Sequence, residues 1–326
     1  MCMSVKEIAH FIADDLQRVE DAIATHLASD VGFISDVGHY VLSSGGKRIR
    51  PVLLILCARL GNAVDKRVYD LSTVIEFIHT ATLLHDDVID NAHLRRGNPT
   101  VNARWGNQIS ILIGDYLYAK AMEMALSDKD HLVMQTVSNV TKEMAKGQVI
   151  ETLKERDLTI REDEYYRIIA LKTAALFEAS CTIGALIAGF EPPQRAKIAA
   201  YGYHLGLAFQ MADDALDFSA PEDQLGKPVN NDLKEGKVTL PIITALQQAT
   251  PAEAETISSY VQNPEASPDD FQAIIEIVNT YNTLQSTLDK AQAHIIQAKQ
   301  QLNEFAASPA RHTLYLLADY VTTRDV

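Results

Sequence analysis

Apolar residues recur at three- and four-residue spacing along nearly the whole chain. Ile75, Ile78 and Ile89, with Thr82 in the same stripe, give one example; Ile274, Ile275, Val278, Tyr281, Leu284 and Leu288 give another. That repeat belongs to helices that bury one face, and runs of strict alternation, the mark of half-buried strands, are scarce. Glycines and prolines gather at segment edges, in "SSGGKRIRP", "RRGNPT", "GFEPPQ" and "NPEASPDD". The pattern predicts roughly a dozen helices joined by short loops, an all-α fold. The most apolar longer stretch, "TAALFEASCTIGALIAGF" at 173–190, contains Glu178 and many small residues. It falls short of an uninterrupted run of about 20 apolar residues and reads as a buried core helix. One segment breaks the pattern: "SAPEDQLGKPVNNDLKEGK" at 219–237 is rich in Gly, Pro and Asn and carries three lysines. It reads as a mobile loop with something anionic to cover.

No linker splits the 326 residues, so a single large helical domain over 1–326 is expected. Charge narrows the function. With 29 basic against 43 acidic side chains the net charge is −14, which argues against non-specific binding to nucleic acid or anionic lipid. An anionic substrate must then be met by local basic clusters or by metal. Cys2, Cys57 and Cys181 are odd in number and far apart, which suggests neither a disulfide framework nor a structural zinc site. The first residues lack a continuous apolar run of the secretory kind, so a reducing, cytoplasmic setting is expected.

Against this background two stretches stand out, "LLHDDVID" at 83–90 and "QMADDALD" at 210–217. Each puts three aspartates at i, i+1 and i+4 in helical, apolar sequence, where aspartate costs helix propensity and, once packed, desolvation. Asp86 and Asp90 fall about 40° apart on a helix with Asp87 on one flank, and Asp213, Asp217 and Asp214 repeat the arrangement. Stacked carboxylates repel. A lone copy would read as a solvated acidic face; two copies in apolar surroundings read as sites for a divalent cation. Ligation by carboxylates alone suits hard ions, and Mg²⁺ is usually shared between one or two carboxylates and substrate phosphates. The motifs therefore predict a phosphorylated substrate.

Basic residues supply the complement. Lys47 and Arg50 follow a glycine pair, and Arg95 and Arg96 come five and six residues after Asp90. Arginine forks and lysine point charges together make a diphosphate clamp.

These motifs resemble the trans-isoprenyl diphosphate synthase family, and within it the long-chain polyprenyl members such as the octaprenyl diphosphate synthases. The resemblance runs in order through "GGKRIRP", "HDDVIDNAHLRRGNPT", "GDYLYAKA", "KTAALF", "FQMADDALDF" and "GKPVNNDLKEGKVTLP", covering essentially the whole chain. One departure is "GQVIET" at 147–152, where relatives carry Glu and Gln in the opposite order. The resemblance implies a homodimeric, all-helical fold of the isoprenoid synthase type with a central cavity. It implies that Asp86, Asp90, Asp213 and Asp217 hold Mg²⁺. It also implies that Arg95, Lys172, Thr173, Gln210, Lys227 and Lys237 meet an allylic diphosphate, and that Lys47, Arg50, His79 and Arg96 hold isopentenyl diphosphate. Of these, Asp86, Asp90, Lys172 and Asp213 carry the catalytic role. Taken alone, His79 would read as a core histidine.

Chain length in this family depends on bulk four and five residues before the first aspartate. Here those positions are Thr82 and Ala81, both small, so a long product such as an octaprenyl chain is expected, for use as a quinone side chain. Met122, Met124, Met134 and Phe33 are candidates for a deeper stop, though irregular core filling explains the methionines as well. So apolar a product implies a transient membrane contact at release. A farnesyl- or geranylgeranyl-length synthase and a terpene cyclase are the alternatives, although a cyclase has no use for a second diphosphate clamp. Glu76 and His79 spell half of a di-iron site, but a matching second half is missing. An inactive helical scaffold would not need so much buried charge.

Overall fold

Helix starts are written into the sequence by short polar side chains. Asp65 accepts the N–H of Arg67 at 2.9 Å to begin one helix, and Asp130 accepts the N–H of Leu132 at 2.9 Å to begin another. Thr250 and Glu253 form a reciprocal capping box at a third. Each satisfies donors that the first helical turn leaves unpaired. The computed structural model describes residues 11–43, 45–218, 231–263 and 268–323.

Within them the α-helices are α1 (Ala13–Leu27), α2 (Gly32–Ser43), α3 (Ile49–Leu60), α4 (Lys66–Ile89), α5 (Val101–Trp105), α6 (Asn107–Leu126), α7 (His131–Leu153) and α8 (Glu162–Ile169). A π-helical turn, Ala170–Ala174, leads into α9 (Ala175–Ile187). Then follow α10 (Pro192–Leu216), α11 (Asn231–Lys234), α12 (Leu240–Leu246), α13 (Pro251–Gln262), α14 (Pro268–Thr280), α15 (Thr283–Gln301) and α16 (Pro309–Thr323). The all-α expectation holds, with one small departure. "RRGNPT" makes a ribbon of β1 (Leu94–Arg95) and β2 (Asn98–Pro99), whose turn residues Arg96 and Gly97 both have positive φ, 53° and 76°. That is the backbone a two-residue hairpin requires, and a single Gly was too faint a signal for it.

Helices α3, α9, α10 and α15 pack in a row, with α4 lying between α3 and α6. Two apolar clusters result. One gathers side chains from α3 and α8–α16, among them Leu53, Phe177, Tyr201 and Ile274. The other is built on α1–α7 with part of α9, around Leu27, Phe77, Leu117 and Ile183. The apolar stretch at 173–190 is a core helix as expected: Leu176, Phe177, Cys181 and Ile183 are wholly buried. Helix α4 belongs to one cluster and α10 to the other, so the two aspartate motifs end helices on either side of the seam.

Candidate active site

The first motif closes α4, with Asp90 as its C-terminal cap. Backbone carbonyls already make that end negative, so added carboxylates need cations. They have them. Lys237 donates to Asp90 at 2.9 Å and to Glu235 at 2.6 Å, while Lys172 lies 3.8 Å from Asp86 and is bonded to Glu151. Burial raises the Asp86 carboxyl above the usual range; Lys172 opposes the rise, and Asp90 and Glu151 add to it. Burial works against the ammonium of Lys172, yet Glu151 and Asp86 more than offset it and hold the proton on. Asp87 turns to the other flank, where Arg95 grips it through Nε at 2.8 Å and Nη2 at 2.7 Å.

Lys172 and Thr173 reach the site because the helix widens into a π turn there, a local irregularity that often marks function. Helix α7 passes so close that a Cβ on Gly147 would stand 2.8 Å from the backbone nitrogen of Lys172. The Thr173 hydroxyl donates to Gln210 Oε1 at 2.7 Å, and Gln210 Nε2 donates to Asp214 at 2.7 Å. Tyr165 donates to the other oxygen of Asp214 at 2.5 Å. These groups line a cleft of about 640 Å³ together with Glu151, Lys172, Asp232 and Lys237. Asp214 is fully buried, and burial first, then Asp232, raises its carboxyl well above the ordinary range. Asp213 is partly exposed, and its charge reaches Arg50. Asp217 is buried and accepts the N–H of Asp232 at 3.3 Å.

A second cleft, about 530 Å³, is lined by Arg48, Glu76, His79, Asp87, Arg95 and Arg96. Gly46 lets the loop before α3 press on Arg96, whose Nη1 would be 2.9 Å from a Cβ there. Arg50 stacks over Phe177 at 4.8 Å, and burial pulls its guanidinium down to about 10 against the support of Glu76 and Asp213. Burial, then the charges of Arg50, Arg96, Arg95 and Arg48, hold His79 well below its usual range, so the ring is neutral. Lys47 is exposed and sits 5.5 Å from the Tyr320 ring.

Most residues singled out in the sequence therefore meet at the seam, with some rearrangement. Lys172, Thr173, Gln210 and Lys237 share one cleft. His79 and Arg96 share the other with Arg95, which pairs with Asp87 there rather than joining the Lys172 side. Lys227 lies outside the described residues, as does the 219–230 part of the irregular segment. Of the rest, Asn231–Lys234 is a helical turn and not loop. Neither Ala81 nor Thr82 lines the two clefts: Ala81 is wholly buried, and the Thr82 hydroxyl donates to the His79 carbonyl at 2.7 Å. Met122, Met124 and Met134 pack against the core as partly buried side chains, whereas Phe33 is a surface residue set edge-on against Trp105. Residues that the sequence did not single out include Glu151, Tyr165 and Arg48, and Glu76 stood out there only beside His79 in a di-iron pattern. Only the exchanged order in "GQVIET" hinted at Glu151.

Among the described residues no three His, Cys, Asp or Glu side chains converge on one point. What fits a cation is the donor set: Asp86 and Asp90 are oxygen ligands that already draw an ammonium each, on the pattern of an ion completed by substrate phosphate.

A family model described as polyprenyl synthetase matches residues 32–278. The octaprenyl diphosphate synthase of Escherichia coli (strain K12) is 38% identical over 323 residues, 99% of this chain and 100% of that one. Heptaprenyl diphosphate synthase component 2 of Geobacillus stearothermophilus is 35% identical over 326 residues, 99% of this chain and 100% of that one. A solved polyprenyl synthase from Caulobacter crescentus CB15, complexed with calcium and isoprenyl diphosphate, superposes with a TM-score of 0.95 at 35% identity over 99% of both chains.

Proposed function

The chain belongs to the polyprenyl synthetase family and is a prenyltransferase, and from that premise we propose that it extends an allylic diphosphate such as farnesyl diphosphate with isopentenyl diphosphate to octaprenyl length. The observation that carries the reading is the pairing of two clefts, one bringing Lys172 and Lys237 and the other Arg48, Arg95 and Arg96 to the aspartates of the first motif.

In this reading Lys172, Thr173, Gln210 and Lys237 bind and orient the allylic diphosphate, and Lys47, Arg50, His79 and Arg96 hold isopentenyl diphosphate. Asp86, Asp90, Asp213 and Asp217 would hold Mg²⁺, which when bound supplies positive charge to the departing diphosphate. The two lysines act in the same direction, neutralising charge as the allylic C–O bond breaks. The alkene of isopentenyl diphosphate forms the new C–C bond to the allylic carbon, and the released pyrophosphate takes the proton lost next to it. The product is an allylic diphosphate one five-carbon unit longer. A neutral His79 contributes hydrogen bonding without charge and is no candidate for a strong base. Small side chains at Ala81 and Thr82 favour a long product, and the match to an octaprenyl synthase supports that length.

A homodimer is part of the proposal. Helices α6 and α7 leave Ile111, Leu112, Val149 and Leu153 exposed, the last 78% accessible. A patch of that kind fits a second copy. A cytoplasmic location, quinone side-chain supply and a brief membrane contact at product release complete the proposal, the last from product chemistry alone.

The test is incubation of purified protein with Mg²⁺, farnesyl diphosphate and labelled isopentenyl diphosphate, with products separated by length. A ladder ending at the octaprenyl chain supports the whole reading. Arrest at geranylgeranyl length keeps the chemistry and refutes the length, and cyclic products without incorporation refute both.

A further inference from the structure

The loop between α2 and α3 holds an arginine in an expensive conformation. Arg48 has φ 47° and ψ 32°, the left-handed region that side chains other than glycine rarely occupy. Its guanidinium shows what keeps it there. Nε donates to Glu20 at 2.7 Å and Nη2 to the same carboxylate at 3.3 Å; Nη1 donates to Glu76 at 2.5 Å, and Nη2 to the Leu42 carbonyl at 2.6 Å. One side chain thus ties α1, α2 and α4 to a single point of the loop. Glu76 is the buried member, 7% exposed against 44% for Glu20. Its charge also reaches Arg50 and Arg96, two cations that repel each other. His79 follows Glu76 by three residues and lines the same cleft.

We propose that Glu76, backed by Glu20, is the positioning residue of the second diphosphate site: by anchoring Arg48 it fixes the loop that carries Lys47 and the first turn of α3 that carries Arg50, and it does so without touching substrate. The inference rests on the reading of that cleft as the isopentenyl diphosphate site. It makes a prediction opposite to simple electrostatics. A carboxylate beside an anion site repels the anion, so neutralising Glu76 should tighten binding if charge alone mattered. If Glu76 positions the loop, the same change loosens it.

Initial rates of the full-length protein with Mg²⁺, varying each diphosphate at saturation of the other, separate the two. For Glu76→Gln the KM for isopentenyl diphosphate is expected to rise about tenfold, with kcat and the KM for farnesyl diphosphate within about twofold, the signature of lost uniform binding. Glu20→Gln should follow at about threefold, since its pairing is more exposed. Arg48→Gly should be milder than Arg48→Ala, because glycine accepts the left-handed backbone. An unchanged or lowered KM for isopentenyl diphosphate in both glutamate variants overturns the proposal, and so does an equal rise for both substrates. Should Glu76→Gln fail to fold by circular dichroism, Glu20→Gln decides alone. Wild-type protein that does not consume isopentenyl diphosphate refutes the assignment of the cleft itself; active wild type with unaffected variants refutes only the positioning role.

Discussion

Helices α4 and α10 end on the same five-residue pattern, yet their surroundings treat the aspartates in opposite ways. At the end of α4 the partners are long cations: Lys172 beside Asp86, Arg95 on Asp87, Lys237 on Asp90. At the end of α10 neutral groups donate: Tyr165 and Gln210 to Asp214, and the backbone N–H of Asp232 to Asp217. Both ends carry the same unfavourable backbone dipole. One end answers it with the side-chain cations of Lys172, Arg95 and Lys237. The other withdraws two of its three carboxylates into a rigid hydrogen-bonded frame and leaves Asp213 partly exposed.

The largest effect expected from this division is on turnover. Asp86→Asn, which keeps shape and removes charge, should lower kcat for isopentenyl transfer about a thousandfold, as loss of a group that organises transition-state charge does. Asp214→Asn should cost far less, because Asp214 serves through its hydrogen bonds. Equal losses in single-turnover assays would mean that Asp214 acts through its charge as Asp86 does and that the contrast in partners is incidental.

Tyr165→Phe tests the frame at the next level of effect. It leaves Asp214 buried with one donor fewer, and Gln210 and Thr173 are oriented through Asp214. A fall of about tenfold in kcat/KM for the allylic substrate is expected, on the scale of one buried hydrogen bond to a charged or polar partner. The KM for isopentenyl diphosphate should not move.

The contrast explains what the sequence could and could not tell. Periodicity and the glycines and prolines at segment edges made the helices legible, and the apolar setting of both motifs made the site legible, because a packed helix cannot carry three aspartates without a reason. Helical geometry also grouped Asp86 with Asp90. It did not reveal the partners, since Tyr165 and Glu151 come from distant segments and look like ordinary helix residues until α7 and α8 are packed. Arg95 shows the same limit: its spacing from Asp90 fits either cleft, and only the hairpin turn at Arg96 and Gly97 aims it at Asp87. Nor could spacing say that small side chains at Ala81 and Thr82 would be buried or self-bonded, because that depends on how closely α6 lies against α4.

A smaller effect, on stability, follows from Asp214. Its folded carboxyl is raised by burial, so the folded state keeps a proton that the unfolded chain gives up near the ordinary carboxylate range. The stabilisation is present below that range and is lost as pH rises toward the raised value. Asp214→Asn removes the titration. Urea unfolding should find the variant close to wild type at about pH 4 and more stable by about 1 kcal/mol at about pH 8. Parallel pH curves would show that Asp214 is charged in the folded protein.

The same substitution at the equivalent position of the other helix end should have the same sign and the smallest size. Burial raises the Asp87 carboxyl too, and Arg95 opposes the rise with its charge and its hydrogen bond without cancelling it. Asp87→Asn therefore removes an ion pair together with a larger desolvation cost, so at about pH 8 the variant should gain less than Asp214→Asn does. Arg95 is 38% exposed, so water screens much of the attraction, and a double-mutant cycle with Arg95→Gln should return a favourable coupling of only about 0.5–1 kcal/mol. Asparagine in the middle of the motif would then stabilise both helix ends at neutral pH, α10 more than α4. A destabilised Asp87→Asn would mean that the cation at the end of α4 outweighs burial, and that the two helix ends differ in sign as well as in partners.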